Sequence, residues 1–175
     1  MDILIVRVLL LALLLFSIPA KAEAVVYQIK ASYIYNFVQF IRFSDRVLTT
    51  DNRLTVCIVG ENRFGSALNE VNGASTPQGV IQVKFYPYNS SAESIRGCHV
   101  LYLVGTDESM ARRLLSTVDT SEVLTIGEFS RFIHFGGFIE LFVQDDSIRF
   151  RVNQKLAGAT HFQVPAQLLS LGAKS

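Results

Sequence analysis

The sequence predicts an α/β fold with a Rossmann-like mixed sheet that is mostly parallel, carries helices on both faces and ends in a C-terminal β-hairpin. Three observations support this prediction. Short apolar runs such as residues 54–59 and 98–104 end at a glycine, which is typical of buried strands. Helical patterns between the runs indicate parallel strands joined by right-handed crossovers. Residues 138–143 and 147–152 are separated only by Gln144-Asp145-Asp146, which indicates a hairpin.

At 175 residues, half of them hydrophobic, the chain is long enough for one domain with a sizeable core. Its first 22 residues match a cleavable secretory signal, because Arg7 precedes an uncharged apolar run over 8–19 and Ala20-Lys21-Ala22 supplies a small-residue cleavage site. A membrane anchor is the alternative, but the apolar run is short for a membrane span and contains a proline near its end. We therefore expect residues 23–175 to form a single exported domain.

The charge balance argues against two classes of partner. The formal net charge is +1, and removal of residues 1–22 takes away Arg7, Lys21 and Asp2, which leaves a neutral chain. A neutral chain lacks the basic excess that drives binding to nucleic acid or to an anionic membrane surface. We expect no nucleic-acid partner.

Residues 25–43 predict the first helix of the mature chain, with its polar side chains within an arc of roughly 120°. The remaining arc, roughly 200° wide, is apolar, although covering one side of a sheet needs only about 100°. Either the helix is wedged deep in the core, or part of the surplus contacts another chain. We take Tyr33, Phe37 and Phe40 as candidate partner-binding residues. Lys30 is the single charge in this arc, and we expect it to snorkel with its stem on apolar neighbours.

The first βα unit follows, as a strand over 54–59, a turn at Gly60 and a helix with Phe64, Leu68 and Val71 on its apolar face. The turn occupies the place where α/β proteins bind phosphate groups. It lacks both the Gly-Lys-Ser/Thr ending of a P-loop and the three close glycines of a dinucleotide loop. The sequence therefore predicts no nucleotide cofactor here.

The later elements continue the alternation of strands and helices. In order, we predict a more exposed strand over 80–86, a buried strand over 98–104, a helix over 107–118 capped by Thr106 or Asp107, and a short strand over 123–126. After the hairpin, Asn153 is expected to cap a short helix, and Pro165 to begin a last helix over 164–171.

The residues that could carry catalysis or bind a metal do not form a recognisable motif. The three histidines lie far apart in the sequence, without metal-ligand spacing: His99, His134 and His161. The acidic pairs lie in turns or at strand ends, where we expect solvated charges rather than an acid–base couple: Glu122 with Glu128, and Asp145 with Asp146. We expect no catalytic residue, no metal and no cofactor.

The two cysteines, Cys57 and Cys98, lie on strands of one presumed sheet. A pair of cysteines close together in an exported protein tends to be oxidised, so we expect a disulfide between them. The alternative is two buried thiols that act as small hydrophobic side chains. A nucleophilic role for Cys57 is disfavoured, because burial in mid-strand opposes formation of the thiolate.

Seven segments, taken in order along the mature chain, carry a family resemblance: Tyr27-Gln28-Ile29-Lys30-Ala31-Ser32-Tyr33-Ile34-Tyr35-Asn36-Phe37 with Phe40 and Phe43, Cys57-Ile58-Val59-Gly60 with Phe64-Gly65, Gly97-Cys98-His99-Val100-Leu101, Leu124-Thr125-Ile126-Gly127, Gly136-Gly137-Phe138-Ile139, Ile148-Arg149-Phe150-Arg151-Val152-Asn153, and Gln167-Leu168-Leu169. In this order and spacing they resemble the YfiR family of exported regulatory proteins. The resemblance covers essentially the whole mature chain.

The resemblance implies a non-enzymatic periplasmic protein that dimerises and represses a membrane-bound diguanylate cyclase by binding its periplasmic sensor region. It implies that envelope or redox stress relieves the repression, and that Cys57 and Cys98 match a structural disulfide. The chain departs from the family pattern in lacking a second cysteine pair, and in having Ser44 and Pro165 where proline and serine are usual. A different class of function is a small-ligand-binding protein that uses the carboxyl ends of the parallel strands, near three glycines: Gly60, Gly105 and Gly127.

Overall fold

Seven strands and four α-helices make up the described part of the computed structural model, which comprises residues 19–44, 52–105 and 107–173. In order, the elements are α1 (Pro19–Phe40), β1 (Arg53–Gly60), β2 (Ser75–Thr76), β3 (Gly79–Tyr86), β4 (Val100–Val104), α2 (Glu108–Leu115), β5 (Leu124–Gly127), a 3-10 helix (Phe132–Phe135), β6 (Ile139–Gln144), β7 (Ser147–Val152), α3 (Gln154–Ala157) and α4 (Ala166–Leu171). The predicted signal segment lies outside these residues, apart from the backbone of residues 19–22 in α1. Within the described ranges, no helix combines the length and the hydropathy that crossing a membrane requires.

The strands form one mixed sheet in the order β2-β3-β1-β4-β5-β6-β7. Its four inner pairings are parallel, and β2 and β7 pair antiparallel at the two edges. This arrangement agrees with the predicted α/β class. β6 and β7 are joined by Asp145 and Asp146, which have φ angles of 49° and 54°. Positive φ at both central residues is what a type I′ hairpin turn requires.

Alternate residues of the central strands supply two apolar cores, one on each face of the sheet. Val56 and Ile58 of β1 pack into the core that α1 covers. Cys57 and Val59 point the other way, into the core that α2 and the 3-10 helix cover. Because both faces are covered, every residue of β4 and β5 is buried, as expected of the inner strands of a parallel sheet.

The helix predicted after Gly60 is wrong, because residues 65–73 form a succession of turns. Backbone bonds to the third residue back, such as the Asn69 N–H to the Ser66 carbonyl at 3.0 Å, recur in this segment. Gly65 and Gly73 at its two ends have φ angles of 53° and 88°, in the left-handed region that interrupts a right-handed helix. The three apolar side chains predicted to face the core are nevertheless buried: Phe64, Leu68 and Val71.

Local capping rules locate two of the helix starts correctly. The Asp107 carboxylate accepts the Met110 N–H at 2.7 Å and caps α2, and the alternative cap, Thr106, lies outside the described residues. Asn153 caps α3 by accepting the Leu156 N–H at 3.3 Å, as predicted. These starts follow from the sequence because the accepting cap side chain and the donating backbone N–H are only three residues apart.

Candidate functional site

The solvent side of α1 carries four apolar side chains, Val25, Ile29, Tyr33 and Phe40, within an arc that also contains exposed Asn36. We call these four residues the α1 stripe. Val25, Ile29 and Phe40 are 54%, 43% and 54% exposed, and Tyr33 is half-buried. Their spacing places them within an arc of about 80° and along about 22 Å of the helix. Clusters of exposed large apolar side chains on one element mark interaction surfaces more often than isolated ones do.

The opposite side of α1 is deeply buried in the core. The residues there are at most 4% exposed: Tyr27, Ala31, Ile34, Phe37 and Val38. The helix is therefore wedged into the core along one side, while part of its apolar surplus faces solvent. The first interpretation of the wide apolar arc is therefore confirmed for the buried side, and contact of the exposed side with another chain stays a prediction.

The three predicted partner-binding residues lie in different environments. Phe37 is 1% exposed and packs edge-on against Phe150, with ring centroids 5.2 Å apart. The Tyr33 hydroxyl donates to the Ile148 carbonyl at 3.0 Å, so this side chain is anchored at its polar end. Phe40 is the most exposed of the three. A partner on this face could contact Phe40 and the edge of Tyr33, whereas Phe37 lies at the bottom of the adjoining groove with almost no exposed surface.

An apolar groove adjoins the α1 stripe where α1 meets α4. It has a volume of about 140 Å³, and its walls include Tyr33, Phe40, Phe150, Leu168 and Leu171. Leu171 is 67% exposed, which extends the apolar surface beyond the helix. Sequence reasoning missed Leu171, because the contact between α1 and the end of the chain is not visible in the pattern of either segment.

A disulfide joins Cys57 of β1 to Cys98, which lies just before β4, with Cα atoms 5.8 Å apart. Cys57 is fully buried and Cys98 is 4% exposed. Both belong to the core that α2 covers. The bond therefore ties the segment that precedes β4 to the centre of the sheet.

The carboxyl ends of β4 and β5 meet at Glu128, whose side chain is 8% exposed. Its carboxylate accepts hydrogen bonds from the Tyr27 hydroxyl at 3.0 Å, the Gly105 N–H at 3.1 Å and the Tyr102 hydroxyl at 3.4 Å, and it pairs with the Lys30 ammonium. Burial, reinforced by the nearby carboxylate charge, raises the pKa of Tyr27 and that of Tyr102. We call these five residues the Glu128 network.

Two expectations are wrong at this network. Glu128 was expected to be a solvated loop charge, but four donors and the surrounding core take its carboxylate out of water. Lys30 was expected to snorkel to solvent, but its side chain is 12% exposed and it forms an ion pair with Glu128. The position of Lys30 in the sequence could have revealed the pair. Lys30 is the single charge in an apolar arc, and a buried charge needs a buried counter-charge.

Protein atoms pack closely at Gly60 and Gly105, two of the three strand ends where a ligand-binding role would need a crevice. A Cβ added at Gly60 would lie 2.4 Å from the Val104 carbonyl oxygen, so β1 and β4 approach each other closely there. The Tyr88 hydroxyl covers the neighbouring strand end by donating to that same carbonyl at 2.9 Å. Next to Gly105 lie the Tyr88 hydroxyl and the Arg63 guanidinium, and next to Gly127 lies the Phe132 ring.

The remaining candidates for chemistry lie apart from one another. His161 faces Glu122 at 3.6 Å on the surface, and the His99 Nδ1 accepts the Thr55 N–H at 2.9 Å inside the core. Asp145 and Asp146 form the exposed hairpin turn. Across the described ranges, no group of three or more histidine, cysteine or acidic residues is placed to hold a metal ion.

Comparison with known proteins gives one match that covers nearly the whole chain. A family model described as YfiR/HmsC-like matches residues 27–173. No curated protein matches the chain closely enough to count as a relative. The matched range contains the Glu128 network, both cysteines and the α1 stripe apart from Val25.

Proposed function

The chain belongs to the YfiR/HmsC-like family, and from this membership we propose that it is a non-enzymatic periplasmic regulator. In this proposal the protein, as a homodimer, binds the periplasmic sensor region of a membrane-bound diguanylate cyclase and represses it, which lowers cyclic-di-GMP signalling in the cell. The observation that supports a binding role is the α1 stripe, because large apolar side chains are exposed together on one helix.

We assign the cyclase contact to the α1 stripe and the adjoining groove. Aromatic side chains carry a large share of binding energy at protein interfaces, and Phe40 offers an exposed ring next to exposed Leu171. A complementary apolar side chain of the partner would fit the groove between α1 and α4. The hydrogen bond of Tyr33 to Ile148 holds one wall of that groove in place.

The Cys57–Cys98 disulfide offers a route for relief of repression under reducing stress. Closing a loop with a sequence separation of 41 restricts the unfolded chain, so the oxidised protein is the more stable form. Reduction would lower that stability, and the repressor would release the cyclase as it unfolds. Reducing stress would then relieve the repression by lowering the amount of folded repressor.

The ligand-binding alternative has less support. Binding at the strand ends would require displacement of the Glu128 network, in which a buried carboxylate already has four donors. Displacing them would leave buried polar groups without partners, at a cost of about 1–3 kcal/mol for each group.

The deciding experiment is crosslinking in intact cells followed by purification of the tagged protein from solubilised envelopes. We expect the eluate to contain a membrane protein with a cytoplasmic cyclase domain, and deletion of the regulator to raise intracellular cyclic-di-GMP. An eluate without such a protein, together with unchanged cyclic-di-GMP, would overturn the proposal. A rise in melting temperature with a metabolite in a thermal-shift screen would favour ligand binding instead.

A further inference from the structure

A cationic and aromatic surface lies on the face of the sheet opposite α1. The rings of Phe129 and Phe135 stack at 5.9 Å with an angle of 14° between their planes. The guanidinium carbons of Arg112 and Arg131 lie 4.0 Å and 5.5 Å from the centroid of the Phe135 ring. We call these four residues the Arg-Phe patch, and we propose that it docks an acidic segment of a partner protein.

The fold brings the two guanidinium groups to one ring from separate elements. Arg112 lies on α2, whereas Arg131 precedes the 3-10 helix. Arg131 has a φ angle of 70°, in the left-handed region that is strained for a residue with a Cβ. The buried ring of Phe132 fixes the chain at the next residue, so the strained backbone of Arg131 is held in place. This geometry brings two planar, charged donors to the same ring.

The charges around the patch leave it open to an acidic partner. No acidic side chain in the described ranges lies within ion-pair distance of Arg131. Arg112 pairs with Glu108 at 2.8 Å, but their side chains are 54% and 53% exposed, and a pair so exposed contributes little stability. A partner carboxylate can therefore replace Glu108. The nearby Asp107 is already engaged as the cap of α2.

The patch fits a protein segment better than a membrane surface. Insertion into a bilayer requires large exposed apolar side chains, and Phe129 and Phe135 are only partly exposed. The most exposed large apolar residues of the described chain lie elsewhere: Val25, Ile29, Phe40, Val80, Phe85, Val143 and Leu171. Arginine and aromatic residues are enriched at protein interfaces, and the guanidinium fork matches a carboxylate.

The Arg-Phe patch is independent of the α1 stripe. α2 and Phe132 belong to the core on one face of the sheet, and α1 to the core on the other. A partner on each surface can therefore bind at the same time. Docking of an acidic segment at the Arg-Phe patch does not depend on which protein binds α1.

We would test the patch with a fluorescein-labelled hexaglutamate peptide and the purified protein, reading fluorescence anisotropy. The double variant R112Q/R131Q removes two charges without placing a second carboxylate beside Glu108. We expect its affinity to fall by about tenfold, since the loss of both guanidinium groups removes the charge-assisted hydrogen bonds to the glutamate carboxylates. The matched control is R53Q/R96Q, which removes two exposed charges outside the patch and should change the affinity less than about twofold.

Three outcomes would overturn the proposal. The first is equal loss of affinity in R112Q/R131Q and R53Q/R96Q, which would indicate a general charge effect. The second is binding to phosphatidylglycerol vesicles but not to the peptide, which would assign the surface to the membrane. The third is binding of a hexalysine peptide as strong as that of hexaglutamate. Replacement of Phe135 by Leu should weaken peptide binding, because the ring that orients both guanidinium groups is lost.

Discussion

Lys30 on α1 forms an ion pair with Glu128 at the carboxyl end of β5, and the two side chains are 12% and 8% exposed. The pair joins the helix that carries the α1 stripe to the end of the sheet where Gly105 and Tyr102 also converge. Because both charges are almost completely removed from water, each one depends on the other for compensation. The position of α1 on the sheet is therefore coupled to a buried electrostatic contact as well as to apolar packing.

Replacing Glu128 by Gln should lower the free energy of unfolding by about 3 kcal/mol, because it leaves the buried Lys30 ammonium without a counter-charge. Urea denaturation near neutral pH would measure the change. The double variant K30M/E128Q should recover part of the loss, since no unpaired charge remains. As a control, Glu93→Gln breaks an exposed pair with Arg96 and should cost less than about 0.5 kcal/mol. An E128Q variant as stable as this control would contradict the coupling.

Stability should fall at alkaline pH because of the tyrosines of the Glu128 network. Burial and the Glu128 charge raise the pKa of Tyr27 in the folded state above its unfolded value of about 10. The folded state therefore holds this proton more tightly, so its contribution is fully present below about pH 10 and is lost as the pH rises towards the folded pKa. Urea denaturation between about pH 9 and pH 11 should show the decline. Tyr27→Phe should flatten the decline in part, because the pKa of Tyr102 stays raised by burial and by the Glu128 charge.

Much of the fold followed from local patterns in the sequence. The buried strands, the hairpin at Asp145 and Asp146, and the caps Asp107 and Asn153 each depend on residues within a few positions of one another. Residues 65–73 were mispredicted because the apolar spacing of a helix also fits a series of turns. The left-handed backbone of Gly65 and Gly73 decided between the two.

The candidate site was only partly predictable, for a different reason. Lys30 and Glu128 are 98 residues apart in the sequence, so no local pattern could pair them. The helical wheel of α1 showed how wide the apolar arc is, but not which part of it the sheet covers. Phe37 and Phe40 therefore looked equivalent in the sequence, although one is buried and the other exposed.

The double variant I29S/F40S should abolish most of the repression while leaving the protein folded. Both side chains are about half exposed, so replacing them removes little buried apolar surface from the core. The replacement does remove two of the four apolar side chains of the α1 stripe. The measurements are intracellular cyclic-di-GMP and recovery of the cyclase by co-purification, with circular dichroism as the check on folding. Full repression by a folded I29S/F40S protein would show that the α1 stripe is not the contact.

Two further variants separate a surface effect from a folding effect. V80S/F85S removes exposed apolar side chains of similar size from β3, away from the α1 stripe, and should leave repression intact. Phe37→Ala should lower the free energy of unfolding by about 3–5 kcal/mol, because it opens a cavity in the core beside Phe150. Repression by the Phe37→Ala variant should fall in proportion to the fraction of the protein that is unfolded.

Removing the disulfide should destabilise the protein by about 4 kcal/mol in the chain-entropy model, given the sequence separation of 41. The variant C57A/C98A and the wild-type protein with reductant should unfold at similar urea concentrations, both below that of the oxidised protein. Mass spectrometry after alkylation checks the bond itself. Two alkylated cysteines in protein purified without reductant would contradict the disulfide.

The ring of Phe132 should make Gly127 intolerant of a side chain. A Cβ at Gly127 would lie 2.5 Å from this fully buried ring, and one at Gly137 would lie 2.2 Å from it, so the ring occupies the space that both glycines leave. Gly127→Ala should therefore cost about 1–3 kcal/mol through overpacking. Gly158→Ala, where the added Cβ meets no atom within 4 Å, should change stability by less than about 1 kcal/mol.

A double-mutant cycle tests whether Phe132 is the cause. Phe132→Leu creates space beside Gly127, so the double variant G127A/F132L should be more stable than the sum of the two single effects predicts. Additive effects would mean that the backbone, rather than the ring, requires glycine at this position. Since Phe132 packs edge-on against Phe129 at 5.3 Å, the same cycle should also perturb peptide binding at the Arg-Phe patch. Gly127 and Gly137, which leave room for the Phe132 ring, would then support the Arg-Phe patch as well as the core.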